Sequence, residues 1–175
     1  SWSGTCVVVI GHGPFAVEQT RTALEHHAAH VYLLVRRHGL VCPTVLDYLN
    51  LVRPYDEDFE HSGSGSGLML SYWRRVYRLA RATPPETWKD GVFRPDGHSV
   101  SVSDIYFVAH ALGLAQSQRT TVSSFLPDGL RTTCGAHHEA QLVAKSIGFE
   151  VNEGNERLIG RSHMMPSMQI DHGLF

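Results

Sequence analysis

Cys6-Val7-Val8-Val9-Ile10 runs directly into Gly11-His12-Gly13-Pro14-Phe15-Ala16, and no other stretch constrains the fold as much. Five consecutive apolar residues, mostly β-branched and closed by glycine, are what a short parallel strand buried on both faces requires. Gly11 permits a tight exit from that strand, Gly13 leaves the main chain bare, and Ala16 is small enough for close packing of helix on strand. Pro14 is tolerated in a first helical turn, and Phe15, Val17, Thr20, Ala23 and Leu24 form one apolar side, so the spacing predicts a helix over residues 14–28. Val31-Tyr32-Leu33-Leu34-Val35 then supplies a second strand.

Strand, G-x-G-x-x-A turn, helix and strand together form a dinucleotide-binding unit, in which the pyrophosphate meets the free amides and dipole of the helix N-terminus. The second strand ends in Arg36-Arg37 where an acidic residue would hold the ribose hydroxyls of NAD. Arg36 lies 23 residues past Gly13, near the spacing of about 20 expected for the ribose-contacting residue. Paired guanidinium groups there attract a 2′-phosphate, which favours NADP(H). The bland alternative is a solvated basic strand end.

The 175 residues suffice for one domain with a real core, and 42% hydrophobic and 18% charged residues are ordinary for a globular protein. A formal charge of −2 and only two lysines, Lys89 and Lys145, argue against a general nucleic-acid surface. Cys6, Cys42 and Cys134 include no C-x-x-C pair, which fits reduced thiols and a cytoplasmic setting. No apolar run approaches the roughly 18 residues of a membrane span.

Further along, a helix is expected over residues 43–52. Residues 62–67 alternate serine and glycine as a flexible loop or an inserted linker would, the regularity favouring a linker in place of a longer segment. An amphipathic helix over residues 68–82 places Leu70, Trp73, Val76, Tyr77 and Ala80 on one side and Arg74, Arg75, Arg78 and Arg81 mostly on another. These arginines are a solvated face or a second contact for phosphate or a partner domain. Arg94-Pro95-Asp96-Gly97 has the chemistry of a turn, and Ser103 caps a mostly apolar and therefore mostly buried helix stopped by Gly113. Strands over residues 120–126, 130–134 and 140–147 predict a small antiparallel β-meander feeding one last parallel strand. The fold class is thus α/β: a Rossmann-like three-layer domain with a mostly parallel sheet. It extends over residues 1–160, with a C-terminal extension at 161–175.

The Val7–Ala16 turn, the Val35-Arg36-Arg37 strand end and Leu142-Val143-Ala144-Lys145-Ser146-Ile147-Gly148-Phe149 together resemble the NADPH-binding domain of flavin-containing monooxygenase-like FAD/NAD(P)-binding oxidoreductases. The last segment is similar to the strand and A-T-G-Y linker by which those enzymes return to their FAD domain. Gly148 and Phe149 match its last two positions, whereas Ser146 and Ile147 depart from its alanine and threonine. The resemblance implies that Gly11, His12, Gly13, Pro14, Phe15, Ala16, Arg36, Arg37 and Gly148 contact NADP(H), with no catalytic side chain. FAD is expected only in an intact protein, whose FAD-binding domain is the implied partner. NADPH would there reduce the flavin, which reacts with oxygen. No FAD fingerprint precedes Thr5, so the chain reads as an excised or solitary domain that does not turn over alone.

Twelve histidines raise a metal reading. His26 and His30 stand four apart and His137-His138 adjoin, but no carboxylate-cysteine set completes a site. Neither lysine follows a tyrosine by four residues and neither follows a glycine, which excludes a short-chain dehydrogenase tyrosine-lysine pair and a phosphate-binding Gly-Lys loop. The remaining alternative is a Rossmann-like domain with a lapsed cofactor site, serving as a protein-interaction or regulatory module.

Overall fold

The computed structural model describes residues 2–52, 64–86, 88–89, 92–93 and 100–148. The acidic run at 56–61, Ser62, Gly63, the turn at Arg94-Pro95-Asp96-Gly97, Phe149 and the extension at 161–175 lie outside the described residues. In chain order the elements are β1 (Cys6–Ile10), α1 (Pro14–Glu25), β2 (His30–Val35), β3 (Val41–Cys42), α2 (Thr44–Val52) and α3 (Ser64–Ala80). They continue as β4 (Trp88–Lys89), β5 (Val92–Phe93), β6 (Ser101–Val102), α4 (Asp104–Ala111), β7 (Ala115–Arg119), β8 (Val122–Leu126), β9 (Gly129–Thr132), β10 (His137–Glu139) and β11 (Leu142–Lys145).

The central sheet has the order β11-β1-β2-β7 and is parallel throughout. Its alternating side chains divide the core in two, as a sheet covered on both faces must. Val7, Val9, Val31, Leu33 and Val35 pack against α1, α3 and α4 through Ala16, Val17, Tyr77, Tyr106 and Phe107. Val8 and Leu34 point the other way, onto Leu130 and Ala140 of the antiparallel β10-β9-β8 meander and its exit. Helices, parallel sheet and meander form the three expected layers.

The boundaries follow from local chemistry. Ser103 caps α4 by accepting the Tyr106 N–H at 3.3 Å. Helices α1, α3 and α4 all end in the same paired backbone bonds, with His27, Arg81 and Gly113 in left-handed conformation at φ 63°, 56° and 71°. In α1 the His27 and Ala28 N–H groups return to Leu24 and Ala23; in α3 those of Arg81 and Ala82 return to Arg78 and Tyr77. This Schellman closure satisfies the last carbonyls, and it stops α1 at Glu25 rather than at residue 28.

Three expectations need correction. Helix α3 begins at Ser64, so Ser64 to Gly67 are helical rather than part of a loop. Ala115–Arg119 is a sheet strand paired with β2, although its Ala-Gln-Ser-Gln-Arg sequence carries no apolar alternation; as an edge strand it is only partly covered. The apolar helix α4 is not mostly buried: Ile105, Val108 and Leu112 stay exposed along one side, because the sheet covers only the Tyr106, Phe107 and Ala109 side.

Candidate functional site

All four parallel strands deliver their C-terminal ends to one edge. The chain direction reverses there between β1, which leads through α1 to β2, and β11 on its other side. In open α/β sheets ligands bind outside the strand ends at such a switch point.

Gly11 sits at that point. Its φ is 126°, its N–H donates to the Leu34 carbonyl at 3.0 Å, and a Cβ there would run into the Ser146 carbonyl leaving β11. Only glycine fits. Gly13 differs: it is the α1 N-cap in an extended conformation (φ −81°, ψ −177°), and a Cβ on it would meet nothing within 4 Å. Gly11 is therefore required by its backbone and the Ser146 carbonyl, whereas nothing among the described residues crowds a side chain at Gly13. Ala16 is fully buried, as close packing demands, and α1 starts without a side-chain cap. Phe15 stands 59% exposed beside the turn.

His12 does not face outward. Its ring is buried; Nδ1 accepts the Gly39 N–H at 3.1 Å and Nε2 lies 3.0 Å from the Tyr106 hydroxyl. Nδ1 as acceptor leaves the proton on Nε2, which donates to Tyr106. Burial, with His38 and His110 nearby, pushes the His12 pKa down to about 3. The ring is thus neutral and structural, and only its main chain is left to the turn.

Arg36 and Arg37 follow β2 and are exposed. Beside them, Glu86 takes the His38 N–H at 3.4 Å and pairs with Arg119 at 3.5 Å. Arg119 ends β7 opposite Val35 in the sheet register, a third arginine at this edge that the sequence reading missed because its strand was not recognised. Its pairing neutralises Glu86 beside the end of β2. Gly148, at φ 94°, is exposed two residues beyond Ser146.

The histidine pairs assemble no metal centre. His26 is the C-cap of α1 while His30 belongs to β2, so they share no helix face. His137 pairs with Asp128 at 3.4 Å and His138 with Gln118 at 3.0 Å. Among the described residues no three histidine, cysteine or carboxylate side chains converge on a point. Among them, too, no helix is long and apolar enough to cross a membrane.

No protein-family model matches the sequence, and no curated protein matches it. Solved structures do. One is OTEMO in complex with FAD and NADP, with a TM-score of 0.61 at 14% identity, covering 90% of this chain and 40% of that one. Steroid monooxygenase bound to NADP gives 0.58 at 13%, covering 89% and 40%. Cyclohexanone monooxygenase in its open crystal structure gives 0.58 at 16%, covering 90% and 42%. At these identities the likeness is one of fold: the chain has the architecture of a portion of flavin monooxygenases, about two fifths of their length.

Proposed function

We propose that this chain is the NADP(H)-binding domain of an FAD-dependent oxidoreductase of the monooxygenase type, presenting the nucleotide to a flavin held by a separate FAD-binding domain. The carrying observation is the pair Gly11 and Gly13 at the switch point, one glycine dictated by the Ser146 carbonyl and the other crowded by nothing among the described residues. The donor set fits the cofactor: an uncapped helix start for the pyrophosphate, and Arg36 and Arg37 at the β2 end for the 2′-phosphate. Neutral His12 holds the turn against Gly39 and Tyr106 without adding charge. When bound, NADPH supplies hydride; the chain's own part is to seat and orient it. Residues 1–160 form this domain on our reading, in a cytoplasmic protein, and the isolated chain does not turn over.

The test is thermal shift and calorimetry with NADPH and NADH. NADPH is expected to bind the parent chain more tightly, and Arg36→Ala/Arg37→Ala to remove a preference of about tenfold, the worth of one charge-assisted hydrogen bond. Equal action of the two nucleotides on the parent would sink the arginine assignment. A second reading, a lapsed site serving protein interaction, draws on Pro14, which brings no N–H to the helix start, and on exposed Phe15. Stabilisation by neither nucleotide would favour it.

A further inference from the structure

Residues 74–84 form a site that shares no lining residue with the nucleotide turn. Arg74, Arg78 and Arg81, with Tyr77, Ala82, Thr83 and Pro84, line an open cavity of about 660 Å³. At 100° per residue Arg74 and Arg78 lie about 40° apart on α3 and Arg75 about 100° from Arg74, while Arg81 follows the helix end. Arg75 does not line the cavity.

Two ordinary explanations for such arginines fall short. The first is neutralisation of the helix dipole, which needs about half a charge at the C-terminus; three guanidinium groups exceed that several-fold. The second is capping of terminal carbonyls, but the Tyr77 and Arg78 carbonyls already accept the Ala82 and Arg81 N–H groups at 3.1 and 3.2 Å. Among the described residues no carboxylate lines the cavity and none of the three arginines has an ion pair. Arg81 also occupies, at φ 56°, the left-handed position that glycine usually fills.

Seven residues, about 10 Å of backbone rise, separate Arg74 from Arg81, and three guanidinium groups along that length carry more charge than one phosphate, at about −2, can offset. Guanidinium forks match phosphate oxygens, and Thr83 adds a hydroxyl. Tyr77, Ala82 and Pro84 supply an apolar wall. We infer that this cavity is a binding site for a small molecule carrying two or more phosphate groups, separate from the Gly11–Arg37 nucleotide site and independent of that reading.

The test is calorimetric titration of the full chain with inorganic tripolyphosphate at low ionic strength. Saturable binding is expected, weakened about tenfold or more by Arg74→Glu/Arg78→Glu. Arg81→Gly, which suits the backbone, should also weaken it while leaving Tm no lower than the parent's. Arg75→Glu should leave it nearly unchanged, and so should saturating NADPH, which fills the Gly11–Arg37 site. Absence of saturable binding overturns the site. So does equal loss with Arg75→Glu, which marks a diffuse basic face, or abolition by saturating NADPH, which assigns the anion to the nucleotide turn. Tighter binding of an oligoglutamate peptide than of tripolyphosphate overturns the ligand class.

Discussion

Gly13→Asp should strengthen the fold while destroying the nucleotide site. Gly13 has an extended backbone open to any residue, and a Cβ there has free space. At an N-cap, aspartate exceeds glycine by a few tenths of a kcal/mol, and its charge at the helix N-terminus adds about 0.3–1 kcal/mol. For a chain of this size that raises Tm by roughly 1–4 °C. The same carboxylate, roughly 5 Å from a pyrophosphate charge at an effective dielectric of about 20, costs about 3 kcal/mol, more than a hundredfold in affinity. Differential scanning fluorimetry with and without NADPH reads both effects. The expected result is a higher Tm and no NADPH-induced shift. A variant that binds NADPH as the parent does would refute the pyrophosphate assignment. One that unfolds would refute the claim that Gly13 is free of packing duty. Gly11→Ala provides the contrast: φ 126° and the Ser146 carbonyl leave no room, so that variant should lose the fold with or without ligand.

The pKa of His12 falls from 6.5 to about 3 chiefly through burial. Below pH 6.5 the unfolded chain therefore binds the proton that the folded chain refuses. Stability present above 6.5 should fall progressively toward pH 3, by on the order of 5 kcal/mol at about 1.4 kcal/mol per unit. Burial lowers His38 and His110 as well, in the same direction. Urea unfolding at a series of pH values should show this slope, and His12→Asn should reduce it; an unchanged slope would exclude His12 as a major contributor. The thiols should separate sharply in alkylation. Hydroxyls of Thr132 and Thr120 lie 3.2 and 3.5 Å from exposed Cys134 and pull its pKa down to about 7. Burial and the Asp47 and Asp104 carboxylates push Cys42 up to about 12. Mass mapping after iodoacetamide at neutral pH should find Cys134 modified first and Cys42 last; the reverse order would refute the contrast.

The local logic of the chain was legible in its residues. The β1-α1-β2 unit is built from contacts between near neighbours, and an apolar run, a glycine turn and an amphipathic helix encode it directly. Arg36 and Arg37 follow from where β2 stops, and Ser103 from the capping chemistry of α4. What depends on distant partners was not legible. Ala115–Arg119 is a strand because β2 offers it a ladder, which polar side chains do not reveal. The direction of the His12 ring was decided by Tyr106, 94 residues away. The distinct duties of Gly11 and Gly13 appear only once β11 lies beside β1 and sets the Ser146 carbonyl against Gly11. Sequence by itself determined a strand, glycine turn and helix with basic residues after the second strand. Tertiary structure alone decided which parts of that turn face inward and which stay open, because burial and steric exclusion are set by whatever segment packs against a residue, however far along the chain it lies.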